Sequence, residues 1–387
     1  MRDRIAPTRR GILRAGVAVG TAALGGCSSL SSGGGTETAD EGGDEARPDL
    51  SEFRGSSPLV EDRPEPGGTS IADLPDLSGT LTLYIGGGEG GLYQQLASLL
   101  EEYYSDLTVD VRFTATNQIL TEGNNGQVRA DVFWANDAGS LGVVDDAGLA
   151  ADVPSGTRTL VPDQFHTKTW VGVAGRARAV PYDTEQFSKG DVPTDIFAFT
   201  DVANLDAKMG WAPTYPAFQA FVTAMRILRG KRKTKAWLNG MQNRGDGGME
   251  QYKNEWYVSN AVADGDVGAG IANHYYTMRV ISSRSDAPID LAFTSGDAGA
   301  LVDVAGVEVM KDADDPEFAR NFVRHLLSAE AQEFLTTRSF AYPMIDGVKP
   351  VDPLPPLDEL DPPEMDLTKL ADVQPTIDLL RETGVLD

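Results

Sequence analysis

Short strand-like runs alternate with longer helix-like ones from about residue 79 onward, and this alternation constrains the fold most strongly. "GTLTLYI" sets Leu81, Leu83 and Ile85 against Thr80, Thr82 and Tyr84, the two-residue period of a strand. Leu92, Leu96, Leu99 and Leu100 then recur at helical spacing. "LTVDVRF" and "ADVFWA" predict two more strands, and Gly139 to Ala147 a helix. "WVGVAG" and "ARAVPY" predict two extended runs crossing between lobes, and "KMGWA" another short strand. "AFQAFVTAMRILRG" predicts a helix stopped at Gly230, with a second helix over "TKAWLNGMQ". "DPEFARNFVRHLLSAEAQEFLTT" predicts two helices split near Ser328, each begun by an acidic or Ser cap. Such alternation implies an α/β fold with mostly parallel sheets. "KPVDPLPPLDELDPPEMD" is too rich in proline for a helix or central strand and predicts an extended strap. "QPTIDLLRETGVL" predicts a short docking helix at the end.

The N-terminal part reads differently. Arg9 and Arg10 precede an apolar run, "GVAVGTAALGG", well short of the roughly 20 residues a bilayer span needs. It predicts a signal peptide over residues 1–26, with the arginine pair pointing to Tat-type export of a folded protein. The run ends on "LGGC", which resembles a lipobox and makes Cys27 the lipid-bearing first residue of the mature chain. Cys27 is the one cysteine, so neither an internal disulfide nor a thiolate metal site is open to this chain. Residues 27–78 are rich in Gly, Ser, Asp, Glu and Pro, and predict a lipid-anchored disordered tether. A net charge of −25 argues against nucleic acid and anionic lipid surfaces as partners, leaving the lipid as the sole membrane attachment. So acidic a surface resembles that of proteins from salt-loving archaea.

Ligands of open α/β sheets bind beyond the carboxyl ends of the strands. Three strand ends carry polar residues here. "ADVFWA" runs into Asn136 and Asp137, "GWA" into Pro213, Thr214 and Tyr215, and "DVGAGIA" into Asn273, His274, Tyr275 and Tyr276. The helix start after "APTYP" offers free N–H groups to an anion, with Thr214 as a cap. The adjacent tyrosines can converge only where the strand has ended and the chain turns, since a strand sends neighbours to opposite faces. Phenolate with carboxylate or a small oxyanion is a natural Fe(III) environment; two aromatics packed on a lobe surface is the plainer alternative. The histidines, His166, His274 and His325, are too scattered for a zinc triad. No Ser-His-Asp order, cysteine nucleophile or G-x-S-x-G elbow points to a hydrolase.

"WVGVAGRARAVPYDTEQF", "GWAPTYPAFQAFVTAMRILRG", "VGAGIANHYY" and "GDAGALVDVAGVEVMKDADDPEFARNFVRHLLS" occur in this order. Together with "ADVFWANDAGSLGVVDDAGL" and the closing "YP", they make the chain from Thr80 onward resemble the ferric-ion-binding proteins of ABC importers. The resemblance implies a two-lobe periplasmic-binding-protein fold of type II, hinged on crossing strands. Residues 79–175 with about 306–345 would form the first lobe, and 176–305 with about 346–387 the second. It implies a monomeric non-enzyme on the outer face of the cell membrane, delivering Fe(III) to an ABC permease and its ATPase subunits. Tyr275 and Tyr276 match the family's ligand pair, while Asn273 and Arg176 match positions beside its synergistic anion, carbonate or phosphate. Three positions depart from the pattern. The first loop reads "YIGGGEGG", with Glu89 in place of a histidine or tyrosine ligand; Asn136 stands where many members have a carboxylate, with Asp137 next; Phe218 stands where some have a third tyrosine, with Tyr215 three residues earlier. Glu89, Asp137 and Tyr215 are therefore the further candidate ligands. The alternative is the same fold binding a small organic cation or phosphonate, with the tyrosines as walls.

Overall fold

The computed structural model describes residues 47–387, apart from 88–90 and 246–247. Its strands are β1 (Gly79–Ile85), β2 (Leu107–Phe113), β3 (Val132–Ala135), β4 (Trp170–Asp183), β5 (Met209–Trp211), β6 (Met249–Gln251), β7 (Ala269–Gly270), β8 (Ala272–Asn273), β9 (Ile289–Ala292) and β10 (Val302–Val309). Its helices are α1 (Leu92–Tyr103), α2 (Thr116–Asn124), α3 (Ala138–Asp146), α4 (Ser155–Arg158), α5 (Pro216–Gln242), α6 (Glu255–Ala263), α7 (His274–Ser283), α8 (Pro316–His325), α9 (Ala329–Ser339) and α10 (Gln374–Glu382).

In the first lobe β1 lies between β2 and β3 and runs parallel to both. In the second, β5 lies between β6 and β7, again parallel to both. The expectation of mostly parallel sheets fails between these two cores. β10 runs antiparallel to β3 and β4, and β4 antiparallel to β7, β8 and β9. These are the strands that carry the chain from one lobe to the other and back. "WVGVAG" and "ARAVPY" form one continuous strand of 14 residues, β4, and the second crossing is β10. Their register shifts between Ala305 and Gly306, and a Cβ on Gly306 would stand 2.7 Å from the Val171 carbonyl oxygen. Glycine is what lets the crossing strands bend past each other there.

Each lobe has its own aromatic core. Tyr93 stacks on Trp134 at 4.1 Å in the first, and Trp211, Phe218, Phe221 and Trp237 pack edge-on or tilted in the second. Burying rings of this size is the main favourable term at about 25 cal/mol per Å² of apolar surface. Gly230, with φ 80° and ψ 155°, breaks α5 into the two helices expected from the sequence.

The disordered tether expected over residues 27–78 does not extend over residues 47–78. Residues 47–78 are docked on the first lobe, with Phe53, Val60, Ile71 and Leu77 buried. The Nε of Arg63 donates to both oxygens of Glu333, at 2.9 and 3.1 Å, and Arg54 lies 2.9 Å from the same carboxylate. Backbone bonds join Gly67 to Gly347 and Ala329 to Thr69, each at 2.9 Å. Four widely spaced apolar residues and two arginines are enough because α1 and α9 already present the complementary surface. The signal peptide and Cys27 lie outside the described residues.

The proline-rich strap is extended, apart from a turn closed by the Leu354 N–H on the Val351 carbonyl and a short turn at Leu357–Glu359. It stays on the first lobe further than residue 346. Met344 is bonded to Gln332, and Pro350 accepts from Arg63; the second lobe is met at Asp361, which bonds Ser295 and Gly296.

Candidate functional site

β8 ends at Asn273 and α7 begins at once. Tyr275 and Tyr276 thus leave the first turn of a helix, which answers how neighbours can converge. Their rings lie 4.4 Å apart. Tyr215, the residue preceding α5, sends its hydroxyl to 2.5 Å from that of Tyr276. Two helix starts therefore face one point, and the positive end of each helix favours negative charge on the phenols. Arg279, one turn further along α7, lies over the Tyr275 and Tyr276 rings at 5.0 and 5.5 Å. Phe218, where some family members place tyrosine, is buried against Trp211 instead.

Beneath the phenols is a buried polar layer. Asn273 Nδ2 donates to the Tyr275 hydroxyl at 3.4 Å, and its Oδ1 accepts from Arg178 Nη1 at 3.1 Å. Glu255 takes Arg178 Nη1 at 2.5 Å on one oxygen and the Asn273 N–H at 2.8 Å on the other. Arg178 is 2% exposed, yet its Nε and Nη2 have no hydrogen-bond partner among the described residues. Sequence reasoning ranked this arginine below Arg176. The strand period was the available signal, because residues two apart share a face and Arg178 therefore points with Arg176.

Arg176 itself is bonded to Asp303 at 3.2 Å. Burial pushes the Asp303 carboxyl up to about 6; Arg176 opposes the shift and Asp137 adds to it. The other Asp303 oxygen accepts from the N–H groups of Ala138 and Val304. Asp137 caps α3, taking the Ser140 N–H at 2.7 Å and the Ser140 hydroxyl at 3.0 Å. Its carboxylate is thus engaged within its own lobe. Its neighbour Asn136 has a buried Oδ1 without a hydrogen-bond partner among the described residues. Gly87, at φ 141°, makes room for that amide, since a Cβ there would stand 2.2 Å from Asn136 Nδ2. Thr214 is exposed and does not cap α5, which begins without a side-chain cap; Pro216 takes its first position, as expected. Glu89 lies outside the described residues.

His274 is a pin. Burial holds its pKa down to about 4, leaving the ring neutral. Nε2 lies 2.7 Å from the Phe340 carbonyl oxygen and must carry the proton; Nδ1 then accepts from the Ala177 N–H at 3.2 Å. The tyrosine helix is so fixed to the crossing strand and to the end of α9. Among the described residues, no group of three or more His, Cys, Asp and Glu side chains is placed to hold a metal ion. A cavity of about 930 Å³ beside Arg63, Phe165, Met344 and Lys349 contains none of these site residues.

Two α/β lobes on crossing strands, with ligand-competent groups at the strand ends, define a hinged protein that captures a small solute. The chain belongs to the family of bacterial extracellular solute-binding proteins, whose model matches residues 81–340. It is 29% identical over 278 residues to the Fe(3+)-binding periplasmic protein of Serratia marcescens, covering 70% of this chain and 79% of that one. It is 28% identical over 275 residues to the major ferric iron-binding protein of Neisseria meningitidis serogroup B, covering 69% and 81%. Iron-bound HitA from Pseudomonas aeruginosa superposes with a TM-score of 0.68 at 27% identity, over 80% of this chain and all of that one. No helix among the described residues is long and apolar enough to cross a membrane.

Proposed function

We propose that this protein carries Fe(III) outside the cytoplasm and delivers it to an ABC permease with its ATPase subunits. The observation that carries this reading is the convergence of three phenols, Tyr275, Tyr276 and Tyr215, at two helix starts. Phenolate is a hard anionic donor, and a trivalent cation displaces its proton readily. The ferric-binding relatives support the same cargo. Asn273 and Arg178 offer donors to a synergistic carbonate or phosphate, with the open N–H groups at the start of α5. Arg176 acts on this region through Asp303. In this reading Asn136, whose Oδ1 has no hydrogen-bond partner among the described residues, completes the site from the first lobe, while Asp137 serves as a helix cap. The protein binds its cargo without transforming it; closure about β4 and β10 follows contacts made to both lobes. Cys27 anchors a monomer to the membrane by lipid after Tat-type export.

Adding ferric citrate to metal-free protein tests the reading. A visible phenolate-to-iron band should appear, and Tyr→Phe variants should lose or shift it while far-UV circular dichroism stays unchanged. A colourless parent would overturn the proposal and favour an organic cation or phosphonate, with the tyrosines as walls.

A further inference from the structure

The C-terminal segment crosses between the lobes once more. From Asp361 on the second lobe the chain runs to a short turn, Leu367–Ala371, seated on α3 of the first lobe. Two glycines of α3 permit the contact. A Cβ on Gly142 would stand 2.4 Å from the Cβ of Thr368, and one on Gly139 2.7 Å from the Ala371 nitrogen. Glycine weakens a helix interior, so a pair three residues apart at a seated segment marks a face kept flat for close approach. Leu367 and Leu370 are buried in the seat. The next residue returns to the second lobe. Arg226 of α5 donates Nη2 to both the carbonyl oxygen and a carboxylate oxygen of Asp372, each at 2.7 Å. α10 then packs on α5, with the Thr376 and Thr223 hydroxyls 2.7 Å apart. The whole bridge lies beyond residue 340, where the family match ends.

We propose that Leu367–Ala371 is a clasp that joins the lobes and, with Gly142 and Arg226 as its two seats, sets how fast the crevice lets its cargo go. This rests on the carrier reading above. The hinge strands let the lobes rotate, and a bridge from α3 to α5 must part or stretch when they swing open. It ties together the two helices that begin at Asp137 and Tyr215, so its tension falls on the crevice walls. Its grip on the first lobe is a small apolar seat, and on the second the Arg226–Asp372 pair holds it ahead of the α10 packing, so the α3 side is the one that parts and reforms.

The full chain is compared with Gly142→Leu, Arg226→Ala and the double variant. Leucine is a good helix former, so the first change unseats the clasp without weakening α3. Metal-free proteins are measured by small-angle X-ray scattering, and iron-loaded ones by loss of the visible band on adding EDTA. Each single variant should scatter as a more open molecule and release iron about tenfold faster, the effect of losing one charge-assisted bond. The double variant should do little more than the stronger single one, because both cut the same bridge. Parent-like scattering in both single variants overturns the clasp. So does parent-like release from variants that scatter as more open molecules. A parent without an iron band would sink the carrier reading alone, since scattering of the metal-free protein still decides the clasp.

Discussion

The two lobes meet the crevice with different chemistry. The second presents three phenols backed by buried Arg178, two of whose nitrogens have no partner among the described residues. The first presents Asp137, already in use as the cap of α3, beside the neutral Asn136, and on the crossing strand β10 Asp303 is bonded to Arg176. Among the described residues, the groups able to serve a hard cation as anionic donors are therefore concentrated on one side. The same contrast runs inward. Each lobe buries a glutamate completely: Glu255 is matched by Arg178 and the Asn273 N–H, whereas both oxygens of Glu308 lack a partner among the described residues.

The largest expected effect tests the phenol side. Replacing both Tyr275 and Tyr276 by Phe should abolish the visible band and iron retention in a citrate competition, with the melting temperature close to the parent's. Tyr215→Phe should retain a shifted, weaker band. A double variant with the parent's spectrum would mean that the pair only packs. Next is the matched glutamate. Glu255→Ala leaves Arg178 as an uncompensated buried charge and should cost about 3–5 kcal/mol in urea unfolding. Asp137→Ala should cost about 1 kcal/mol, the worth of a helix cap, and leave the iron spectrum unchanged. A lost or displaced band there would return Asp137 to the ligand set and erase the difference between the lobes.

The smallest effect concerns Glu308. Burial, reinforced by Asp145, raises its pKa well above the ordinary carboxylate value. The folded state thus keeps a proton that the unfolded chain releases near pH 4.5. The stability this group allows is fully present below that pH and is lost as pH rises toward the folded pKa. Glu308→Gln should remove the loss, so its melting temperature should fall less than the parent's between pH 5 and pH 8. Equal slopes in the two proteins would show that Glu308 is ionised in the fold.

Local pattern made α1, α3, α5, α8, α9, α10 and most strands legible, down to Gly230 and the Ser328 cap, because a left-handed glycine and a capping hydroxyl act over a few residues; α2, α4, α6, α7 and β10 went unread. The antiparallel crossing was not legible, since pairing β4 with β10 joins residues more than a hundred positions apart. The site was half visible. Adjacent tyrosines are a conspicuous string, but the hydroxyl contact between Tyr215 and Tyr276 depends on how two helix starts face each other. The roles of Asp137, Arg176 and Arg178 turn on bonding partners that a linear order does not display. The docked residues 47–78 were hidden by their own composition, in which a few anchoring side chains are diluted by small and acidic ones.

β10 gives the first lobe a folding order of its own. Its sheet is completed only when residues 302–309 slot between β3 and β4, long after β1, β2 and β3 have been synthesised. Until then β3 is an open edge able to pair with any strand that comes by, the kind of exposure that leads to aggregation. The lobe begun first thus stays open while most of the second is made, and neither lobe exists as a continuous stretch of chain that could be cut out and fold by itself. A cell that moved this polypeptide across its membrane unfolded would have to protect that edge twice, before and after passage. One that folds it first has to guard it only during synthesis.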